Sequence, residues 1–274
     1  CGARAASTDS PAAPITATAA VATAPAAQPS AGLPPRGGAP GGAGSSVTAV
    51  PVLKDAAYAT GSAAQKLDLY VPAGTGPFPL IINIHGGGFM MGDKGNPDRA
   101  DAFLAAGYAV ASINYRLSGE AKAPAQIQDA KAAVRWLRAN AARYNLDPQH
   151  FAAWGGSAGG WQVLMMGVTG GTPEFSDPRL GNPEQPDQIQ AVVAWFPPTN
   201  FLKMDEHLAA SGLAPRPEDA HSGANSPESL LLGRQITEIP DHVRAANPET
   251  YLHPAIPPIL LQHGTGDPIV PYQQ

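Results

Sequence analysis

Residues 151–159 read Phe-Ala-Ala-Trp-Gly-Gly-Ser-Ala-Gly, and this stretch decides the fold. Its first four residues are apolar, as in a buried strand, and the run at 162–166 predicts a helix directly afterwards. A Gly-x-Ser-x-Gly sequence on a strand–helix turn is typical of a nucleophile held above a sheet, so Ser157 is the predicted nucleophile. A Cβ at Gly155 or Gly159 would crowd such a turn. The alternative is a glycine-rich loop that binds phosphate at a helix N-terminus.

Two further glycine-rich motifs flank this serine along the chain. His-Gly-Gly-Gly-Phe at 85–89 closes an apolar run, and its glycines let backbone N–H groups face a developing oxyanion. His-Gly-Thr-Gly-Asp at 263–267 follows another apolar run, and an acid in that place orients a triad histidine. His85 and His263 are interpreted as structural residues. The alternatives are a flexible turn at the first motif and an Asp-Pro turn at Asp267.

From residue 47 onward the chain alternates apolar runs with helical periods. Strands are predicted at 65–71, 80–85, 109–115, 151–154, 189–196 and 258–262. A 3-4-3-4 spacing of apolar side chains predicts a helix within 126–144. Strands that alternate with helices predict an α/β fold, with a mostly parallel central sheet and helices on both faces.

Composition divides the chain into two parts. From Cys1 to Ser46 only eight residues are not Ala, Pro, Gly, Ser or Thr, so this segment cannot bury enough apolar surface to offset its ordering entropy. It is predicted to be a disordered tether, residues 1–46, ahead of one domain at residues 47–274. The proline-rich part at about 201–252 is predicted to be an insertion with short helices, placed where it could cover an active site.

Charge and cysteine content bear on partners and location. The formal net charge is -5 without a Lys/Arg cluster, which argues against a nucleic-acid partner. No metal-binding motif is present, so neither a metal nor a cofactor is predicted. Cys1 is the only cysteine, and Cys-Gly before a long tether resembles a mature bacterial lipoprotein. That resemblance implies a lipid on Cys1 and an extracytoplasmic place in a bacterial cell envelope; the alternative is a gene-fragment boundary.

The motifs at 85–89, 155–160 and 263–271 together resemble the α/β-hydrolase superfamily. More closely, the chain resembles bacterial esterases of the hormone-sensitive-lipase-like and feruloyl/acetyl-esterase-related groups, over residues 47–274. The resemblance implies a serine hydrolase that cleaves small-molecule carboxylic esters through an acyl-enzyme, without a cofactor. The site residues that it implies are the nucleophile Ser157, the triad acid Asp267, and the oxyanion-hole N–H groups of Gly87, Gly88 and Ala158.

One part that the resemblance implies is missing from this chain. In the family the general base is a histidine a few tens of residues after the acid, whereas all seven histidines here precede Asp267. The comparison therefore implies a C-terminal truncation without the last strand and the histidine loop, and a nearly inactive chain. The alternative is a replacement base from the insertion, such as His207 or His221, because a triad is defined by geometry.

The substrate and the class of reaction keep their alternatives. Phe89 and Trp161 are candidates for the substrate pocket, with ordinary core packing as the alternative. Ester cleavage is preferred to amide cleavage by a peptidase or an arylformamidase, because the loop at 85–89 resembles that of esterases. From a different class, the alternative is a non-catalytic α/β-hydrolase-like binding protein.

Overall fold

A seven-stranded sheet forms the centre of the computed structural model, which describes residues 48–212 and 220–274. The strands in chain order are β1 (Leu53–Ala57), β2 (Lys66–Tyr70), β3 (Phe78–Ile84), β4 (Ala109–Ile113), β5 (Leu146–Gly156), β6 (Ala191–Trp195) and β7 (Ile259–Gln262). Their order across the sheet is β1-β2-β4-β3-β5-β6-β7. The β1–β2 and β2–β4 pairings are antiparallel, and the other pairings are parallel. The predicted tether and the predicted lipid site on Cys1 lie outside the described residues.

The central strands are those with continuous apolar sequence. Every residue of β4 is buried, and so is β3 from Leu80 to Ile84. Ile82 pairs with Ala111 of β4 on one side and with Ala153 of β5 on the other. Strands with near-continuous apolar sequence belong in parallel sheets that are covered on both faces. The strands predicted at 80–85 and 109–115 are therefore confirmed.

Helices cover both faces of the sheet. The three helices that pack on it are α1 (Ala100–Ala105), α2 (Ala125–Ala139) and α3 (Ala158–Val168). Val110 of β4 clusters with Ala100 of α1, whereas its neighbours Ala109 and Ala111 belong to the cluster that contains α2 and α3. Successive side chains of a strand point to opposite faces, so α1 lies on one face and the other two helices lie on the other. The predicted α/β class is confirmed.

Three elements differ from the sequence pattern. Strand β5, predicted at 151–154, spans Leu146–Gly156. Strand β1 was not predicted, because Leu53–Ala57 carries no apolar run and Asp55 interrupts its register with a φ of 54°. The α-helix predicted within 126–144 ends at Ala139, and a 3₁₀ turn follows at Ala142–Tyr144. Asn145 then adopts a left-handed φ of 58°. A short polar side chain such as that of Asn tolerates this conformation, which turns the chain into β5.

The region at 201–252 contains short helices in its described parts. They are a 3₁₀ helix at Phe201–Lys203, α4 (Met204–Ala210), α5 (Pro227–Leu232), a 3₁₀ helix at Ile236–Glu238, α6 (Pro240–Ala246) and a 3₁₀ helix at Pro248–Tyr251. Met204, Leu231 and Val243 form one buried cluster with Phe89 and Trp161, so these helices pack on the glycine-rich end of the sheet. None of the helices within the described ranges is long and apolar enough to cross a membrane.

Candidate active site

Ser157 occupies the turn between β5 and α3. Its backbone has φ 56° and ψ -124°, a conformation that residues other than glycine rarely adopt and that persists only where the surrounding structure enforces it. The Ser157 N–H donates to the Trp195 carbonyl of β6 at 2.9 Å, and its carbonyl accepts from Trp161 at 3.0 Å. The strand, the strained serine and the helix follow one another as the motif predicts.

Two glycines of the motif are required by close backbone approaches. A Cβ on Gly159 would lie 2.1 Å from the Ile84 carbonyl oxygen at the end of β3. A Cβ on Gly155 would lie 2.5 Å from the carbonyl oxygen of Gly159. No side chain fits at these distances, so the prediction of crowding is confirmed. The glycines let the first turn of α3 contact the carboxyl ends of β3 and β5.

The loop at residues 86–89 lies directly beside the serine. A Cβ on Gly86 would lie 3.4 Å from the Ser157 Cβ. Gly87 has φ 106° and Gly88 has φ 58°, and the loop closes through a 3.0 Å hydrogen bond from the Met90 N–H to the Gly87 carbonyl. These left-handed conformations favour glycine. The structure therefore brings the predicted oxyanion loop and the predicted nucleophile together.

The predicted oxyanion donors are the N–H groups of Gly87, Gly88 and Ala158. Among the described residues, none accepts a hydrogen bond from the N–H group of Gly87 or Gly88. Ala158 is the first residue of α3, where an N–H group has no acceptor within the helix. The N-terminus of a helix also carries partial positive charge. These three N–H groups can stabilise a negative charge beside Ser157; their oxyanion role stays a prediction.

His85 supports the glycine loop from below. Its ring stacks on Tyr115 with 4.5 Å between centroids, and its Nδ1 donates to the Gly86 carbonyl at 2.8 Å. The Tyr115 hydroxyl donates to the His85 carbonyl at 3.1 Å. Burial lowers the pKa of His85, so the ring is neutral at pH 7. These contacts agree with its interpretation as a structural residue.

Asp267 lies on the loop after β7, which we call the acid loop (residues 263–270). Its Oδ1 accepts from the N–H groups of Ile269 at 2.9 Å and Val270 at 3.0 Å. His263 Nε2 donates to the Val270 carbonyl at 2.8 Å and lies 3.7 Å from Asp267 Oδ2. The carboxylate is thus held by its own loop, with His263 beneath it.

Phe196 connects the serine turn with the acid loop, and none of the three glycine-rich motifs indicates it. A Cβ on Gly156 would lie 3.0 Å from its ring, and its centroid lies 6.4 Å from that of His263. Phe196 has a φ of 37° at the end of β6, the strand between β5 and β7. The nucleophile and the acid therefore lie at the same end of the sheet, where the carboxyl ends of β5 and β7 are found.

The structure does not bring a histidine to the serine. All seven histidines lie in the described ranges, and among these residues no imidazole nitrogen is hydrogen-bonded to Ser157. His207 Nδ1 accepts from the side-chain amide of Gln274 at 2.8 Å. Both ring nitrogens of His221 are engaged with Glu228 and the Ile269 carbonyl. Neither residue is placed as the replacement base that the sequence left open.

The rings of Phe89 and Trp161 pack together in an aromatic cluster. Their rings meet edge to face at 5.3 Å, and Phe201 lies 5.9 Å from Trp161. Trp161 donates to the Ala246 carbonyl at 2.8 Å and lines a cavity of about 430 Å³ between α2, α3 and α6. Both side chains are 1% exposed. Their role in a substrate pocket stays a prediction.

Helix α5 covers the oxyanion loop. A Cβ on Gly88 would lie 3.4 Å from Pro227, the first residue of α5. Lys122 Nζ donates to the Leu230 carbonyl at 2.9 Å and to the Ser118 carbonyl at 2.6 Å. The Ser118 N–H in turn donates to the Phe89 carbonyl at 2.8 Å. The insertion is thereby attached to the loop that carries the predicted oxyanion donors.

The fold and the strained serine turn define the protein as an α/β-hydrolase. The chain belongs to the BD-FAE family, whose sequence model matches residues 67–274.

Similar proteins of known sequence or structure agree with this assignment. A probable carboxylic ester hydrolase of Mycobacterium tuberculosis, LipM, is 29% identical over 73% of this chain and 44% of its own length. A truncated carbohydrate esterase from gut microbiota is 33% identical with a TM-score of 0.72, covering 81% of this chain and 79% of the other. Esterase 2 of Thermogutta terrifontis, phosphonylated by sarin, is 27% identical with a TM-score of 0.58, over 76% and 70% of the two chains. The chain spans about half the length of the curated relatives it matches.

Proposed function

We propose that the protein is a serine hydrolase that cleaves carboxylic esters through an acyl-enzyme on Ser157. The observation that carries the proposal is the strained Ser157 backbone, held against the glycine loop at 86–88. Strain of this kind persists where function requires a side chain in one place. Relatives named as carboxylic ester hydrolases and esterases support the ester as the substrate class.

The geometry supports a two-step acyl transfer. Ser157 Oγ attacks the ester carbonyl carbon, and its proton passes through a general base to the departing alcohol. The negative charge on the carbonyl oxygen is stabilised by the N–H groups of Gly87, Gly88 and Ala158, each such donor being worth ~3–4 kcal/mol in the transition state. Water then attacks the acyl-enzyme, releases the acid and returns the proton to Ser157. Asp267 has the role of the triad acid, which orients the base.

For the alcohol part of the substrate we propose a carbohydrate. The support is the solved structure at 33% identity, which is a carbohydrate esterase and of which this chain covers 79%. Acetyl is among the smallest acyl groups, so it makes little demand on space beside the buried rings of Phe89 and Trp161. An acetylated carbohydrate is therefore the first natural-type substrate to assay.

The test uses the protein expressed from its complete gene. We expect hydrolysis of p-nitrophenyl acetate and of an acetylated carbohydrate, and a loss of about 10⁴- to 10⁶-fold in kcat for Ser157→Ala. The matched control is Ser62→Ala, because Ser62 lies between β1 and β2 on the far side of the sheet. Among the described residues its Oγ accepts a hydrogen bond only from the Ala64 N–H. An unchanged rate in Ser157→Ala, or faster cleavage of the matched anilide than of the ester, would contradict the proposal.

A further inference from the structure

His221 forms a buried link between the insertion and the acid loop. Its side chain is 9% exposed, its Nδ1 lies 3.0 Å from Glu228 Oε1, and its Nε2 lies 3.0 Å from the Ile269 carbonyl oxygen. The Ile269 carbonyl can only accept, and a carboxylate at Glu228 accepts as well. An imidazole that donates from both ring nitrogens carries two protons, so these contacts are those of an imidazolium paired with a carboxylate.

The insertion holds His221 from two helices, α4 through its backbone and α5 through its ring. The Asp205 carboxylate of α4 accepts from the backbone N–H groups of His221 at 2.8 Å and Ser222 at 2.9 Å. Glu228 of α5 is 3% exposed, and its Oε2 has no hydrogen-bond partner among the described residues. Burying an unpaired carboxylate is costly, so the imidazolium is the compensating charge for Glu228.

On the other side, the ring reaches Asp267 through a single peptide group. The Ile269 carbonyl, which accepts from His221, and the Val270 N–H, which donates to Asp267 Oδ1 at 3.0 Å, belong to the same planar unit. Rotation of that plane would break both hydrogen bonds together. The orientation of the acid is therefore coupled to the imidazole ring over one rigid group.

The same helix that supplies Glu228 also covers the oxyanion loop. Pro227 precedes Glu228 and lies against Gly88, and the Ser226 hydroxyl accepts the Ser229 N–H at 3.1 Å to start α5. A displacement of α5 would thus disturb the oxyanion loop and the acid loop at once. The motifs at 85–89 and 263–267 do not indicate this connection, because His221 and Ile269 are 48 residues apart in sequence.

We propose that His221, held by Glu228, is a positioning residue that orients the triad acid Asp267 through the 269–270 peptide. The proposal rests on the proposed serine hydrolase function. Burial opposes the charge on His221, but the hydrogen bond and the charge of Glu228, with the Ile269 carbonyl and Asp205, raise the pKa of His221. The charged groups that face the ring are Glu228 from α5 and Asp205 from α4.

Kinetics of two variants test the positioning role in the protein expressed from its complete gene. We expect His221→Gln to lower kcat by about 10- to 100-fold with little change in KM, since a misplaced group costs rate without weakening ground-state binding. Glu228→Gln keeps an acceptor but removes the charge, so the alkaline limb of its kcat profile should move to lower pH. The matched control is His150→Gln, an exposed histidine in the amino-terminal part of β5, at the end of the strand opposite Ser157, which should retain the native kcat and pH profile.

A second measurement does not depend on activity. Nitrogen-15 spectra of the histidine side chains in the native protein at pH 6 should show His221 with protons on both ring nitrogens. In Glu228→Gln, His221 should lose one of these protons at a lower pH than in the native protein. A neutral His221 in the native protein, or His221→Gln with the kcat of the control, overturns the proposal. If a variant does not fold, these spectra decide the question. If the native protein hydrolyses no ester, the proposed function fails, and the spectra still report on the link itself.

Discussion

At the scale of single residues, the turn that carries Ser157 can form only because Gly155 and Gly159 have no Cβ atom. Gly155 and Gly159 leave room for the carbonyl groups of their neighbours, and Ser157 is held in a strained conformation by the Trp195 carbonyl. The glycines and the serine were predictable because their motif is local in sequence. Trp195 and Ile84, which complete the turn, lie on other strands, and nothing in the local pattern indicated them.

Substitution of Gly159 by alanine should destabilise the protein and remove activity. The new Cβ would lie 2.1 Å from the Ile84 carbonyl oxygen, and backbone cannot yield as a flexible side chain does. Overpacking of this kind costs about 1–3 kcal/mol. Urea denaturation measures the change, with Gly119→Ala as the control because a Cβ on Gly119 meets no atom within 4 Å. Equal stability of the two variants would show that the turn is not as tightly packed as described.

At the scale of secondary-structure elements, continuous apolar runs predicted the central strands and periodic spacing predicted α2. β1 was not predictable because its residues are mainly polar or small and the strand is irregular at Asp55.

One face of α2 also carries buried cations. Lys131 donates to the Thr169 carbonyl and lies 3.8 Å from Asp187 Oδ2, while Arg135 donates to the Asp177 carbonyl at 2.7 Å. These bonds attach α2 to the chain after α3.

The buried lysine of α2 gives a pH-dependent contribution to stability. Burial is the main cause that lowers the pKa of Lys131 to about 8, from an ordinary value of 10.5. Below pH 8 the lysine is charged in the folded and the unfolded protein, so the folded state bears the full penalty of a buried charge. Between pH 8 and 10.5 the folded state has released the proton and the unfolded state has not, so this contribution rises with pH.

We therefore expect the stability of the native protein, relative to Lys131→Met, to increase by about 1–3 kcal/mol from pH 8 to pH 10. Urea denaturation of both proteins at the two pH values measures it, and the subtraction removes groups that titrate equally in both. Lys54→Met, at an exposed position of β1, should show no such trend. A native-minus-variant difference that is constant or falls with pH would refute the assignment.

At the scale of the whole molecule, the parallel sheet gathers the site residues at the carboxyl ends of its strands. Ser157 follows β5, the glycine loop follows β3, and Asp267 follows β7. That gathering was predictable, because the carboxyl ends of parallel strands share an edge and each motif ends a strand. The contacts that the insertion makes there were not: Pro227 against Gly88 and His221 against Ile269 join segments far apart in sequence. Such pairs follow from tertiary packing and have no local signature.

We propose that Ser157 is the nucleophile at the carboxyl ends of these strands. The most direct test incubates the protein expressed from its complete gene with a fluorophosphonate and locates the adduct by peptide mass spectrometry. We expect one adduct, on the peptide that contains Ser157, and none in Ser157→Ala. A folded protein that hydrolyses esters but carries the label on another serine, or remains unlabelled, would contradict this role of Ser157.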